Sequence, residues 1–299
     1  MSAVKRLANK NMHWLLLSPY IVLFTTFIVI PVAMAVGLSF TQFDGIMVPA
    51  FNGVRNYINL LAADEVFMGM VLPNTLRFAL IVGPGGYILS FFLAWLIAQL
   101  SKLPRTLLAI IIYSPSLTAG TTMAVMWRVL FSGDRLGYIN NLMISFGIVR
   151  EPVQFLLSSD WIMPVMIIVA LWSSMGVGFL AMLAGILNTD QEIYEAAYID
   201  GINSRIHEVY YVTIPLMKPQ MLFGAVMAIV NTFAVGSIGV ELTGSNPTPG
   251  YAGQLIVNHI EDHGINRYEM GYAAAVSVVL LIIIWGFYSL TSKLFRERD

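Results

Sequence analysis

Apolar residues run almost unbroken through six stretches of the chain, at about 14–40, 72–100, 106–131, 161–187, 214–240 and 271–290, and polar residues collect between them. Each stretch has about the 20 residues a helix needs to cross some 30 Å of hydrocarbon, without the strict alternation of a strand. The pattern predicts an all-α integral membrane protein, one domain over residues 1–299 with six transmembrane helices. Several runs exceed the minimum, which predicts tilt, kinks or helices that project past the bilayer. Gly83-Pro84-Gly85-Gly86 inside the second run predicts a bend or local opening, since proline removes a helix hydrogen bond. Lys5, Arg6 and Lys10 precede the first run, and Ala33-Met34-Ala35 resembles a signal cleavage site. The run is much longer than a signal's apolar region of about 7–15 residues, so an uncleaved anchor is expected.

Composition agrees with this reading. The 299 residues are 58% hydrophobic and 11% charged, whereas a soluble domain carries about 25% charged residues. A net charge of −1 gives no footprint for nucleic acid. With no cysteine, there is no disulfide framework and no thiolate metal or redox site.

Positive residues set orientation. Lys5, Arg6, Lys10, Lys102, Arg105, Arg205, Lys218, Lys293, Arg296 and Arg298 fall on the side of the termini, ten of the 16 cations. Arg55, Arg77, Arg128, Arg135, Arg150 and Arg267 fall on the other. The bias predicts cytoplasmic termini and a cytoplasmic 188–213 loop.

The runs hold no Asp or Glu, and Arg77, Arg128 and Lys218 lie near run ends, where they can snorkel. Ion-coupled transporters usually carry intramembrane carboxylates or histidines, so that mechanism is disfavoured. The chain has no G-x-x-x-x-G-K-[ST] loop; if ATP drives it, another polypeptide binds the nucleotide. His13, His207, His259 and His263 form no H-E-x-x-H pattern. His259 and His263, near Glu261 and Asp262, are expected in a solvated outward loop and not at a metal.

The 188–213 loop carries its own signals. Thr189-Asp190-Gln191-Glu192 predicts a capping box, with Thr189 as N-cap and Glu192 reaching back. Gly201 suits the left-handed residue that ends a helix. A second helix is expected at 204–211, and Thr213 with Pro215 is expected to open the fifth span. From the residues alone, the first helix reads equally as an ordinary loop helix or as a docking element.

Glu195-Ala196-Ala197, Asp200-Gly201 and, after about a dozen residues, Ile214-Pro215-Leu216 with Pro219 resemble the cytoplasmic coupling loop of permease subunits of binding-protein-dependent ABC importers. Phe51-Asn52-Gly53-Val54-Arg55-Asn56-Tyr57 resembles the segment after the first span of sugar-importer permeases, maltose-F-like in type. Asn74-Thr75 and Gly271-Tyr272-Ala273-Ala274-Ala275 are similar to markers at the second and sixth spans. Ile202 stands where the family usually has Ala, and Thr243-Gly244-Ser245-Asn246-Pro247 departs from its T-G-G-G-P.

The resemblance implies a non-enzymatic sugar or oligosaccharide permease of the bacterial cytoplasmic membrane. Its implied partners are a second permease, ATP-binding cassette subunits that hold ATP and Mg, an external solute-binding protein and lipid. Glu195, Ala196, Ala197, Asp200 and Gly201 would dock the ATPase. The substrate would sit near mid-membrane, which points to Asn231, the only amide in the apolar interior of the fifth span, and to Ser174. Ser173, Ser174, Gly176 and Gly178 read more simply as packing residues, and Trp127, Trp161 and Trp172 as interface or packing aromatics. Rival readings are the same build for a non-sugar solute such as a glycerol phosphodiester, with Arg77 or Arg128 facing the cavity, and an ion-coupled secondary transporter.

Overall fold

A computed structural model describes residues 12, 14, 16–118 and 120–295. Lys5, Arg6, Lys10, His13, Arg296 and Arg298 lie outside the described residues. In chain order the helices are α1 (Leu16–Leu38), α2 (Phe67–Ala98), α3 (Lys102–Leu117), α4 (Gly120–Leu130), α5 (Tyr138–Ser145), α6 (Ser159–Ser173), α7 (Val177–Leu187), α8 (Gln191–Ile199), α9 (Arg205–Leu216), α10 (Lys218–Ala234), α11 (Ile238–Thr243), α12 (Ile256–Glu261) and α13 (Met270–Phe295). Among the described residues, α1, α2 and α13 are each long and apolar enough to cross a membrane. The pairs α3–α4, α6–α7 and α9–α10 meet the same requirement only when each pair is taken together; α6–α7 bends by 42° and α9–α10 by 84°.

The chain divides into two compact units, one of the described residues up to Ala63 with His263–Val279, the other of Asp64–Asp262 with those from Leu280 onward. In the first unit, α1 leads into a two-stranded hairpin, β1 (Thr41–Gln42) against β2 (Ala50–Phe51). The Asn56-Tyr57 pair explains the marker around it. Buried Asn56 donates from Nδ2 to the carbonyls of Ser39 and Thr41, both at 2.9 Å, and the Tyr57 hydroxyl lies 2.7 Å from Ser39 Oγ. These bonds satisfy carbonyls where α1 ends and the chain turns. Gly271 donates its N–H to the Phe43 carbonyl at 3.0 Å, and a Cβ there would stand 2.1 Å from the Thr41 carbonyl oxygen. Only glycine allows that approach. In the hairpin turn, the Asp44 carboxylate accepts the Met47 and Ile46 N–H groups, which lowers its pKa below the ordinary carboxylate value.

The second unit packs around α2. Phe78 and Val82 on its first half join Ile162, Val165, Met166 and Val169 of α6 and Ile238 and Leu242 of α11. Ala94 and Ile97 on its second half join Phe179, Met182 and Leu183 of α7 and Met221 of α10. Lipid is as apolar as these side chains, so close van der Waals contact must hold the helices together. Glycine supplies it: a Cβ on Gly178 would lie 3.3 Å from the Gly224 Cα, so α7 and α10 meet backbone to backbone. The expected opening at Gly83-Pro84-Gly85-Gly86 is not seen; α2 is helical through Pro84. Those glycines instead admit neighbours, since a Cβ on Gly85 would stand 3.1 Å from Leu171 and one on Gly86 2.8 Å from Ser174. Packing against the end of α6 and against α10 holds the turn that proline weakens.

Asn74 and Thr75 anchor the loop after α11. Asn74 Nδ2 donates to the Tyr251 carbonyl at 2.9 Å, and Thr75 Oγ1 accepts the Ile256 N–H at 3.0 Å. Gln254, 1% exposed, donates to Asn246 Oδ1 and accepts the Thr248 N–H. The departure from T-G-G-G-P is thus accommodated by a side-chain network. Trp127 stacks on Phe131 and meets Trp172 edge-on, while Trp161 packs on Phe155, all packing roles.

Within the apolar runs, helix limits follow backbone chemistry. Among the described residues the fourth and fifth runs are each broken, and α13 extends to Phe295. Pro215 does not start a helix; it lies within α9, and α10 begins at Lys218 with Pro219 in its first turn. Pro219 lacks the N–H that would continue α9, so the chain turns at Met217.

Candidate functional site

Two features stand out in the second unit. The first is a cavity of about 500 Å³ bordered by α2, the end of α3, the α6–α7 break and α10, within the 300–1,000 Å³ usual for small-molecule sites. The break creates part of its wall. After Ser173 the chain leaves the helix, Gly176 takes φ −95° and ψ −141°, and α7 resumes at Val177. Ser173, Ser174, Gly176 and Gly178 all line the cavity; the sequence favoured packing for these four, while the resemblance also offered Ser174 to the substrate path. Both roles hold, because Gly178 also backs onto Gly224. Ser174 Oγ donates to the Leu171 carbonyl at 2.8 Å, and Ser173 Oγ bonds the carbonyls of Val169 and Ala170 at 3.2 Å. The hydroxyls thus bond back to carbonyls of the last turn of α6, where the Leu171 carbonyl also takes the Ser174 N–H at 3.3 Å.

Asn231 lies one turn before α10 ends at Ala234. Its carboxamide is exposed to the cavity and makes no hydrogen bond with the described residues. An interhelical bond, the other reading of a lone membrane Asn, is therefore not what holds it. Sequence reasoning missed Tyr87, Ser90, Tyr113, Ser116, Thr118 and Thr232 of the same wall. For Ser90 a signal existed: it is a polar residue one turn after Gly86 on an apolar run.

Arg77 and Arg128 are not among the lining residues. The Arg128 guanidinium bonds the Glu241 and Leu242 carbonyls at the C-terminal end of α11, where a cation also meets the negative end of the helix dipole. The condition that would have favoured an anionic solute is not met. His259 and His263 are also not solvated: both are buried, with His259 Nε2 3.0 Å from Asp64 Oδ2 and His263 Nδ1 2.6 Å from Glu269 Oε2. Carboxylates brought near by the tertiary fold replace the water expected there.

The second feature is the segment between α7 and α10. The expected capping box is absent. Thr189 Oγ1 donates back to the Gly185 carbonyl at 3.1 Å, completing the end of α7, and Asp190 becomes the N-cap of α8 without a side-chain bond. Open carbonyls at the end of α7 outcompete the N–H groups of α8. The other end is as expected. Gly201 has φ +95°, its N–H bonds the Tyr198 carbonyl at 3.1 Å, and the Ile202 N–H bonds the Ala197 carbonyl at 3.0 Å. That pair of bonds is a Schellman stop. Tyr194 ties α8 to α9 through its hydroxyl, 3.2 Å from Thr213 Oγ1. Glu195, Ala196 and Asp200 are exposed and Ala197 is half-buried. Around them Tyr198, Ile199, Ile206, Tyr210 and Tyr211 also face outward. An exposed carboxylate, small residues and large apolar side chains thus share this segment.

The family model described as binding-protein-dependent transport system inner membrane component matches residues 8–291. The chain is 27% identical over 284 residues to the arabinooligosaccharides transport system permease AraP of Bacillus subtilis, covering 93% of this chain and 86% of that protein. It is 28% identical over 300 residues to the lactose transport system permease LacF of Rhizobium radiobacter, covering 99% and 98%. In fold it is similar to a chain of a bacterial alginate ABC transporter crystallised with an alginate pentasaccharide-bound periplasmic protein, with TM-score 0.80, 21% identity, and coverage of 99% and 98%.

Proposed function

Since the chain belongs to the family of binding-protein-dependent transport system inner membrane components, we propose that it is a multi-pass permease subunit forming the path for a sugar or oligosaccharide in an ABC importer. The arabinooligosaccharide and lactose permeases it resembles over most of their length support the substrate class. The observation that carries the reading is the cavity holding the unengaged Asn231 amide among hydroxyls.

In this reading each bent helix pair is one span, giving six, with both termini and α8 in the cytoplasm. The partners are a second permease, two ATPase subunits that hold ATP and Mg, and an external solute-binding protein. Glu195, Ala196, Ala197, Asp200 and Gly201 form the coupling element. Glu195 has no ion pair within the described chain and would meet a cation of the ATPase, the small residues would admit its surface, and the exposed tyrosines and isoleucines would be covered there. Closing of the ATPase pair on ATP would then pull α8, and through the Tyr194–Thr213 contact α9 and α10, switching access to the cavity. A glycerol phosphodiester is a weaker reading, because Arg128 is committed to α11 and Arg77 lies off the wall.

The test is uptake by the reconstituted complex, with the solute identified from its binding protein. Asn231→Ala is expected to slow ATP-dependent uptake about tenfold, matching a lost hydrogen bond of about 1–3 kcal/mol, with assembly and basal ATP hydrolysis retained. Normal uptake in the variant, or a non-sugar solute on the binding protein, would refute the reading.

A further inference from the structure

We propose that the α2–α7–α10 cavity admits uncharged glycans and rejects uronate-containing ones, with Ser90 and Asn231 as the side chains that set this preference. The proposal deepens, and rests on, the sugar-import reading above.

The hydrogen-bonding capacity of the wall is unevenly spent. Ser116 donates to the Tyr113 carbonyl at 2.7 Å, Ser174 to Leu171 at 2.8 Å, and Thr232 to Ala228 at 2.7 Å. Ser90 and Asn231 are bonded to nothing in the described chain, and both line the cavity. Ser90 is 5% exposed, so its hydroxyl is held on the buried face of α2 with no outlet but the cavity. A serine hydroxyl both donates and accepts, and so does a carboxamide. Sugar hydroxyls do the same, so each protein group can exchange a reciprocal pair of bonds with a saccharide. Tyr87 and Tyr113 border the same space. Their rings supply apolar surface for the C–H face of a pyranose, while its hydroxyls meet the polar groups.

A carboxylate meets different physics there. The described lining residues carry no charge, and Arg128 already serves the carbonyls of Glu241 and Leu242. An ion moved from water into this wall loses hydration, and hydroxyls and an amide cannot replace a countercharge. The penalty far exceeds what one added hydrogen bond returns. The chain would therefore share its fold, and not its substrate charge, with the alginate transporter chain it is similar to.

The experiment uses the complete complex of both permeases and ATPase in lipid nanodiscs, without the external binding protein, so that selectivity is read at the membrane. Saturation-transfer NMR would compare equimolar galactobiose with digalacturonate, and lactose with its lactobionate derivative. Expected is transfer to galactobiose and lactose, at least about fivefold less to the acids, and a loss of about fivefold or more in Ser90→Ala and Asn231→Ala. Asn231→Lys, at an exposed position of the wall, is expected to gain digalacturonate binding. Co-purification of the ATPase checks that each variant is assembled. Equal or stronger transfer to the acids in the native complex would overturn the charge preference while leaving sugar import standing. Unchanged lactose and galactobiose signals in both alanine variants would overturn the roles of Ser90 and Asn231. Binding of no saccharide by a complex that imports another class of solute would overturn the sugar reading, and this proposal with it.

Discussion

Replacing Gly201 isolates the contribution of one backbone angle to coupling. Its φ of +95° lies in the left-handed half of the map, and a Cβ built there meets nothing within 4 Å. A substitution therefore introduces no clash, and its cost is conformational alone. For an L residue that cost is about 1–2 kcal/mol, more for a β-branched side chain and less for asparagine. The two bonds of the stop, Gly201 to Tyr198 and Ile202 to Ala197, must stretch or break if φ relaxes. A penalty of 1–2 kcal/mol shifts the ratio of native to misaimed loop by roughly 5- to 30-fold. The expected order of coupling is Gly, then Asn, Ala and Val, with membrane levels unchanged because the residue is outside the spans. Solute-stimulated ATP hydrolysis of the reconstituted complex measures coupling, and hydrogen exchange over 191–203 measures the stop directly. Gly201→Val with native exchange and native stimulated hydrolysis would refute the reasoning; equal loss in Asn and Val variants would show that side-chain bulk, not φ, is the cause.

Three further outcomes follow from the geometry. Gly271→Ala should sharply lower folded yield, because its Cβ would fall 2.1 Å from the Thr41 carbonyl oxygen; detergent-solubilised thermal melts against a Gly286→Ala control, where nothing lies within 4 Å, would check this. Asn74→Ala should leave the Tyr251 carbonyl with the Gln254 N–H alone and destabilise the loop that Asn74 anchors by about 1 kcal/mol, read as faster proteolysis or hydrogen exchange at 246–256 with the rest of the chain unaffected. Ala3→Cys, Tyr198→Cys and Phe295→Cys should each resist an impermeant thiol reagent applied outside intact cells, without background because the native chain has no cysteine; labelling of all three would reverse the orientation.

What the sequence determines by itself is whatever depends on neighbours along the chain. Runs of apolar residues specify membrane helices, because a helix satisfies its own backbone and its length is set by the bilayer. Gly201 is similarly local, since the Schellman bonds join residues at most five apart. The string around Glu195 carries family identity for the same reason. Tertiary structure decided the rest. The hydroxyl of Thr189 had two possible partners, and the end of α7 took it from α8. Pro84 did not open α2, because flanking glycines let other helices pack against the weakened turn. The burial of His259 depended on Asp64, 195 positions away. Asn231 could be read from its solitude in an apolar run and Ser174 from the resemblance, whereas Ser90 and Ser173 could not be assigned to a cavity until α2, α7 and α10 were placed side by side. A cavity is space left between elements, and its walls come from residues with no sequence proximity to one another.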